Sequence, residues 1–177
     1  VGYTSDTSDA SDYLTSLETR KCLDQVAVNH SWGGAVFSQA LLDAFNRADL
    51  AGILSVASAG NNATDNDATP RYPTGYDTTP VAGYDAIISV AAISRQGAKS
   101  SFSNYGRTSV DLGAPGGERV DGNDPNLHDP DYETFSTVPP SSSGYKRGTP
   151  MAAPHVPGAT APYAAGSPPG AAGQNRN

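Results

Sequence analysis

A strand–helix–strand pattern near the start of the chain constrains its fold more than any other feature. Two short apolar runs, residues 26–28 and 53–58, flank a segment at 38–51 whose apolar residues recur at every third or fourth position. That spacing predicts an amphipathic helix, which Ser38 can cap and Gly52 can end. Short connections predict that the two strands are parallel and joined by a right-handed crossover. The chain is therefore predicted to be an α/β domain built on a mainly parallel sheet flanked by helices.

Further segments extend this architecture. Residues 11–24 have the apolar spacing of a helix, and residues 87–92 form an apolar run typical of a buried strand. Shorter strands are predicted at 110–116 and 133–138, and the Ala-rich stretch after Gly148 predicts one long buried helix. We expect a domain over residues 12–165, preceded by a flexible arm at 1–11 and followed by a disordered Gly/Pro/Ala-rich tail at 166–177.

The composition excludes several classes of protein. The 177 residues suffice for one domain with a hydrophobic core. A net charge of −7 argues against a nucleic-acid partner, because phosphates are bound by clustered Lys and Arg. Cys22 is the single cysteine, so no internal disulfide forms, and no apolar run approaches the roughly 18 residues of a membrane span. We expect a secreted, extracellular protein without nucleic-acid or membrane partners, and a mature or truncated piece because its start does not resemble a signal peptide.

Two predicted strands end in segments whose residues suit a binding or catalytic site. Ser31, Trp32 and Gly33 follow the first strand and leave extended backbone that can pair with a peptide laid alongside it. Asn61 follows the second strand after small residues, and a carboxamide N–H is a good donor to an oxyanion. Since the carboxyl ends of parallel strands share one edge of the sheet, both segments are predicted to meet there. Ordinary turns remain the alternative for each segment, and His30 is predicted to be a packed residue.

A third segment, Gly-Thr-Pro-Met-Ala-Ala-Pro-His-Val at residues 148–156, joins a Ser/Gly loop at 141–144 to a predicted helix. Backbone N–H groups at such a helix start favour developing negative charge. The segment resembles the nucleophile motif of the subtilisin-like serine peptidases, Gly-Thr-Ser-Met-Ala-x-Pro-His-Val. Pro150 stands where that family has its catalytic serine. Residues 100–106 and 110–116 also match family motifs, Ser-x-Phe-Ser-Asn-x-Gly and Val-Asp-Leu-x-Ala-Pro-Gly.

The resemblance implies a fold and a set of roles. It implies the C-terminal two-thirds of a subtilisin-like catalytic domain, with the N-terminal strands missing, and a polypeptide substrate. It implies that Ser31, Trp32 and Gly33 hold the substrate main chain and that Asn61 is the oxyanion donor. By the same resemblance, one wall of the pocket for the substrate side chain is formed by Ser58, Ala59 and Gly60.

Pro150 brings the activity into question. Proline has no hydroxyl to attack a carbonyl and no N–H to donate. The family's triad aspartate and histidine lie in segments that have no counterpart here, and His155 is implied to be a packing residue. One interpretation is a truncated serine endopeptidase by lineage, inactive as written; the other is a non-catalytic peptide-binding pseudoenzyme. Pro157 and Pro162 are predicted to lie inside the same buried helix, each costing about 3 kcal/mol.

Calcium is the only cofactor that the sequence suggests, and no residue is assigned to a metal. The segment Tyr-Pro-Thr-Gly-Tyr at residues 72–76 resembles a family turn whose carbonyls bind a weak cation in some relatives. A polar insertion at 117–132 carries carboxylates and amides, the oxygen ligands that calcium prefers, at residues 121–131. We favour a solvated surface loop for this insertion.

Overall fold

A computed structural model of the 177-residue chain describes residues 3–21, 25–119 and 132–166. Eleven elements lie within these ranges. In chain order they are α1 Thr4–Lys21, β1 Ala27–His30, α2 Gln39–Leu50, β2 Leu54–Ser58, α3 Thr79–Ala82, β3 Ile87–Ile93, β4 Leu112–Pro115, β5 Thr134–Val138, β6 Ser142–Lys146, α4 Thr149–Ala152 and α5 His155–Gly166.

The centre of the fold is a four-stranded sheet in the order β1-β2-β3-β4, with every neighbouring pair parallel. The register sets His30 opposite Ala57 and Ser58 opposite Val90. The strands therefore end at one common edge, as the alternation of strand and helix predicts. The predicted α/β class with a parallel sheet flanked by helices is confirmed.

Two hydrophobic clusters cover the sheet, and they divide its alternating side chains. Ala57 packs with Leu41 and Phe45 of α2, whereas Val56, its neighbour in β2, packs with residues of α4 and α5. Successive side chains of a strand point to opposite faces, so the two clusters lie on opposite sides of the sheet. The helix α2 begins as predicted, because the Ser38 side chain accepts a hydrogen bond from Leu41 N.

The predicted flexible arm at residues 1–11 is wrong for most of its length, because α1 begins at Thr4. Hydroxyl groups along this polar helix donate to carbonyl oxygens one turn earlier, as Ser8 does to Thr4 and Thr15 to Ser11. The helix also packs on α2, where Asp12 and Arg47 form an ion pair at 2.7 Å. Tertiary packing thus outweighs the weak helix propensity of Ser, Thr and Asp. The predicted helix end and Cys22 lie outside the described residues.

The predicted Ser/Gly loop at 141–144 is also wrong. Most of it belongs to β6, which pairs antiparallel with β5 and sets Tyr145 against Phe135. Serine and glycine have low strand propensity, so pairing with β5 is what makes this segment extended. The polar insertion is anchored at its base, where Glu118 N donates to Tyr132 O at 2.6 Å. Its centre at 120–131, including the possible calcium ligands and His128, lies outside the described residues.

The long helix predicted after Gly148 is divided in two. A turn at Ala153 and Pro154 separates α4 from α5. Because α5 begins at His155, Pro157 lies in the first turn, where a backbone N–H has no partner within the helix. The expected cost at Pro157 is therefore wrong, whereas Pro162 does lie inside α5. The predicted tail lies outside the described residues, except that Gly166 ends α5.

Candidate functional site

Three segments far apart in sequence meet at the common edge of the sheet. Ser31 Oγ donates to Pro150 O at 2.8 Å, across 119 positions of sequence. Gly60 N donates to Thr149 Oγ1 at 3.0 Å, and Ser58 Oγ contacts Trp32 O at 3.5 Å. The structure therefore brings together the segment after β1, the segment after β2 and the start of α4. These are the three segments predicted from the sequence to carry the site residues.

The side chain of Asn61 is oriented by Thr149. Its Oδ1 accepts hydrogen bonds from Thr149 N at 2.8 Å and from Thr149 Oγ1 at 3.0 Å. A backbone N–H can only donate, so the oxygen of the carboxamide must face Thr149 and the Nδ2 group must face away. A Cβ added at Gly148 would lie 3.1 Å from Asn61 Nδ2 and from Pro150 Cδ. Asn61 is exposed, so its Nδ2 group can donate to a ligand beside Gly148 and Pro150.

The loop that carries Asn61 is held by two buried asparagines. Asn104 Oδ1 accepts from Asn62 N at 2.8 Å, and Asn104 Nδ2 donates to Ala59 O and to Asn66 Oδ1. Asn66 Nδ2 also donates to Ala59 O at 2.9 Å. Fully satisfied buried networks of this kind make a loop rigid. Asn104 therefore positions the loop on which Asn61 sits.

Gly60 is required where this loop passes Asn104. Its φ is +113°, and an added Cβ would lie 2.6 Å from Asn104 Nδ2. Both the backbone angle and the close contact exclude a side chain. Ser58 and Ala59 are buried before it, while Gly60 is partly exposed. Small residues thus leave the backbone at Gly60 partly open to solvent. We call residues 58–61 and 31–34 the two walls of the site, and the solvent-facing edge where they meet Pro150 the cleft.

The segment after β1 forms the opposite wall. Trp32 is half-buried and its ring packs edge-on against His30 at 5.7 Å, while Gly33 is exposed. Gly34 exchanges two backbone hydrogen bonds with Tyr72, at 2.8 and 2.9 Å. The wall is therefore fixed at Gly34 and open at Gly33, where an extended peptide has access to the backbone.

Pro150 lies in the first turn of α4, at the point where the two walls meet. Proline fits this position because its missing N–H has no partner within the helix there. Its carbonyl oxygen is bound by Ser31 Oγ, and Asn29 Nδ2 in turn donates to Ser31 Oγ at 2.9 Å. The ring supplies neither a hydroxyl nor an N–H to the cleft.

The two described histidines differ in environment. His30 is buried against Phe45, with ring centres 4.7 Å apart, and burial lowers its pKa to about 4. It is therefore neutral at physiological pH, and the prediction that it is packed is confirmed. His155 is exposed and its Nδ1 lies 3.0 Å from Met151 O, so the packing role that the resemblance implied for it is wrong.

The turn at residues 72–76 uses its carbonyl groups internally. Arg71 O accepts from Gly75 N at 2.6 Å, and Pro73 O accepts from Tyr76 N at 3.0 Å. Within the described ranges, no three His, Cys, Asp or Glu side chains are grouped to hold a metal ion. A weak calcium site at this turn stays a prediction, as does one in the insertion.

Thr149 and Asn104 are positioning residues that the sequence patterns did not predict. Thr149 accepts from Gly60 N while it orients Asn61, so one hydroxyl joins two of the site's segments. Both residues are fully buried and polar. Their presence in the matched motifs was the available signal, since a polar residue inside a motif needs a partner when it is buried.

Comparisons with known proteins agree on one family. The Subtilase family model matches residues 2–169. The chain is similar to Subtilisin-like protease 2 of Plasmodium falciparum (36% identical; 76% of this chain and 9% of that protein are covered). It is similar to Fervidolysin of Fervidobacterium pennivorans (36%; 76% and 18%) and to Subtilisin DY of Bacillus licheniformis (33%; 85% and 46%).

Comparison with solved structures indicates the same family. A cold-adapted subtilisin-like serine proteinase superimposes with a TM-score of 0.69 at 27% identity, over 94% of this chain and 50% of that one. A protease of Pseudoalteromonas arctica PAMC 21717 gives 0.66 at 27% identity, over 88% and 45%. The chain thus spans half or less of the length of these relatives. Among the described helices, none is long and apolar enough to cross a membrane.

Proposed function

Because this chain belongs to the Subtilase family, we propose that its cleft is a subtilisin-like serine endopeptidase site in which Pro150 occupies the nucleophile position. The observation that carries the proposal is the contact of Asn61 with Thr149 beside Pro150. This contact holds the carboxamide donor of Asn61 next to Pro150, at the start of α4. An oxyanion formed beside position 150 would lie within reach of Asn61 Nδ2.

We propose that the cleft binds polypeptide in an extended form. Ser31, Trp32 and Gly33 would pair with the peptide main chain, and Ser58, Ala59 and Gly60 would line the space for one of its side chains. The exposed backbone at Gly33 and the small buried residues before Asn61 support these roles. Main-chain hydrogen bonds would supply affinity, and the lining of the pocket would supply selectivity. We further propose that the chain acts as a secreted protein.

We propose that the chain as written does not hydrolyse its peptide. The family reaction needs a hydroxyl that attacks the carbonyl carbon while a histidine takes its proton. A proline ring at position 150 cannot start that step, although binding and oxyanion stabilisation would remain. A fluorophosphonate probe should therefore label no residue, and casein should remain intact through every purification step. Labelling or digestion that follows the purified chain would contradict this proposal.

Peptide binding has a direct readout, because Trp32 is the only tryptophan. Addition of a blocked hexapeptide should change the fluorescence of Trp32, and the change should saturate as the peptide concentration rises. The matched control is the same peptide with N-methylated amides, whose main chain can no longer donate hydrogen bonds and which should bind much more weakly. An unchanged spectrum with the first peptide, or equal binding of both, would contradict the proposed binding mode.

A peptide-binding pseudoenzyme is the second candidate. Its support is that Pro150 is accommodated at a helix start, so the walls of the cleft stay joined without a nucleophile. The two candidates separate when Pro150→Ser is tested alone and with an added N-terminal segment from a related peptidase. Recovered hydrolysis would indicate a peptidase that lacks only its nucleophile and the added segment. A folded complex without hydrolysis would favour the dedicated binder.

A further inference from the structure

Arg71 carries a charge that the described part of the protein leaves without a partner. Its Nε is buried, and no described group accepts a hydrogen bond from it. The residue as a whole is half-buried. Buried polar groups are nearly always hydrogen-bonded, and an unpaired guanidinium N–H is costly to keep out of water. An arginine in this state needs an explanation in terms of function.

The segment that carries Arg71 connects the two walls of the cleft. At one end, Asn66 Nδ2 donates to Ala59 O beneath the Asn61 loop. At the other end, Tyr72 pairs with Gly34, and its carbonyl oxygen lies 3.1 Å from a Cβ added at Gly33. Arg71 is the residue directly before Tyr72. Its backbone therefore lies beside the peptide-pairing segment at Gly33 and Gly34.

The acidic residues nearest in sequence are engaged elsewhere. Asp67 accepts hydrogen bonds from the backbone N–H groups of Arg107, Thr108 and Ser109, at 2.8 to 3.2 Å. Asp65 Oδ1 accepts from Asp67 N at 3.0 Å, and Asp77 Oδ1 accepts from Thr79 N at 3.0 Å. Asp65 and Asp77 are thus held within their own turns, and Asp67 is held by the turn at residues 107–109. None of these three supplies an acceptor to Arg71 Nε.

We propose that Arg71 is a specificity-determining residue whose guanidinium binds an acidic side chain of the polypeptide held in the cleft. This inference rests on the proposed function, since it needs a bound peptide. Arginine presents several N–H donors in a planar fork that fits a carboxylate. Because Nε is buried, the carboxylate of a glutamate or aspartate would bind the two terminal NH₂ groups of the guanidinium, from which no described group accepts a hydrogen bond either.

The test compares blocked Ala/Leu hexapeptides in which one Glu or one Gln is moved through each position. Acetyl and amide ends remove the terminal carboxylate as a competing ligand. Trp32 fluorescence gives the Kd values. In the native chain, the best Glu peptide should bind about tenfold or more tightly than its Gln partner, because hydrogen bonds to charged groups contribute more than neutral ones. The preference should weaken as salt is added.

Three variants locate the preference. In Arg71→Gln the Glu and Gln peptides should bind within about twofold of each other, and Arg71→Glu should favour a Lys peptide instead. Arg107→Gln is the matched control, since it removes the same charge from an exposed residue whose backbone alone bonds to Asp67. It should retain the native preference. Thermal unfolding of each variant shows that the compared chains are folded.

The outcomes separate this inference from the function on which it rests. If no peptide binds the native chain, both proposals are overturned. A second outcome is that unmodified peptides bind and the N-methylated peptide binds poorly, but Glu and Gln peptides bind equally. In that case only the role of Arg71 is overturned. The same holds if the preference for Glu survives in Arg71→Gln or disappears in Arg107→Gln.

Discussion

Asn61 has two functions that substitution can separate, because its two side-chain ends face different surroundings. Asn61→Ala removes the acceptor for Thr149 N and Oγ1, and we expect the free energy of unfolding to fall by about 1–2 kcal/mol. Asn61→Asp keeps an acceptor at the start of α4, where a negative charge is favourable, so stability should change little. Urea denaturation measures both. Equal losses in the two variants would show that the hydrogen bonds to Thr149 contribute nothing.

Thr149 tests the connection between the walls at the same scale. Thr149→Val keeps the shape of a fully buried side chain but leaves Gly60 N without its acceptor. We expect a loss of about 1–3 kcal/mol in unfolding free energy, measured by urea denaturation. Thr149→Ser is the control, since it restores the hydroxyl and should recover most of the loss. A Val variant as stable as the native chain would contradict the role of this hydroxyl.

At the scale of elements, α5 contains two prolines in different situations. Pro162 is inside the helix and exposed, where its ring removes a hydrogen bond and crowds the carbonyl of Gly158, one turn earlier. Pro162→Ala should therefore raise the free energy of unfolding, by up to about 3 kcal/mol. Pro157→Ala is the matched control in the first turn, and it should change stability far less. Chemical denaturation would contradict this picture if the two substitutions had the same effect.

At the scale of the whole molecule, two buried titratable groups give opposite dependences of stability on pH. Burial, with a smaller contribution from Asp85, raises the pKa of Asp49 to about 7 from 3.8. The folded state therefore holds a proton that the unfolded chain releases, and stability falls as pH rises from about 4 to 7. Burial lowers the pKa of His30 to about 4 from 6.5. That contribution is lost as pH falls from about 6.5 to 4.

We predict that the two slopes largely cancel in the native chain between pH 4 and 6.5. Asp49→Asn should reveal the loss of stability in acid due to His30 and should stabilise the protein near pH 7, by of the order of 4 kcal/mol at most. His30→Phe should reveal the opposite slope, a loss of stability as pH rises. Unfolding free energies from pH 4 to 8 measure both. Parallel pH profiles for native chain and variants would contradict the two pKa shifts.

Local pattern was sufficient for much of the framework. The periodicity of residues 38–51 and the apolar runs beside it predicted α2, β1 and β2 to within a few residues, because those signals depend on burial of one face. The same signals failed at α1 and β6. A polar helix that packs on α2 and a Ser/Gly strand that pairs with β5 are stabilised by partners that a local window does not contain.

Motif order and hydrophobic period were enough to predict the family, the parallel sheet and the identity of the residues at the strand ends. How those residues contact one another could be seen only in the folded protein. Asn61 is oriented by Thr149, which lies 88 positions away, and the carbonyl of Pro150 is bound by Ser31, which lies 119 positions away. The position of Arg71 beside the peptide-pairing segment likewise follows from pairing of Tyr72 with Gly34. Contacts across such distances in sequence are set by how the layers pack.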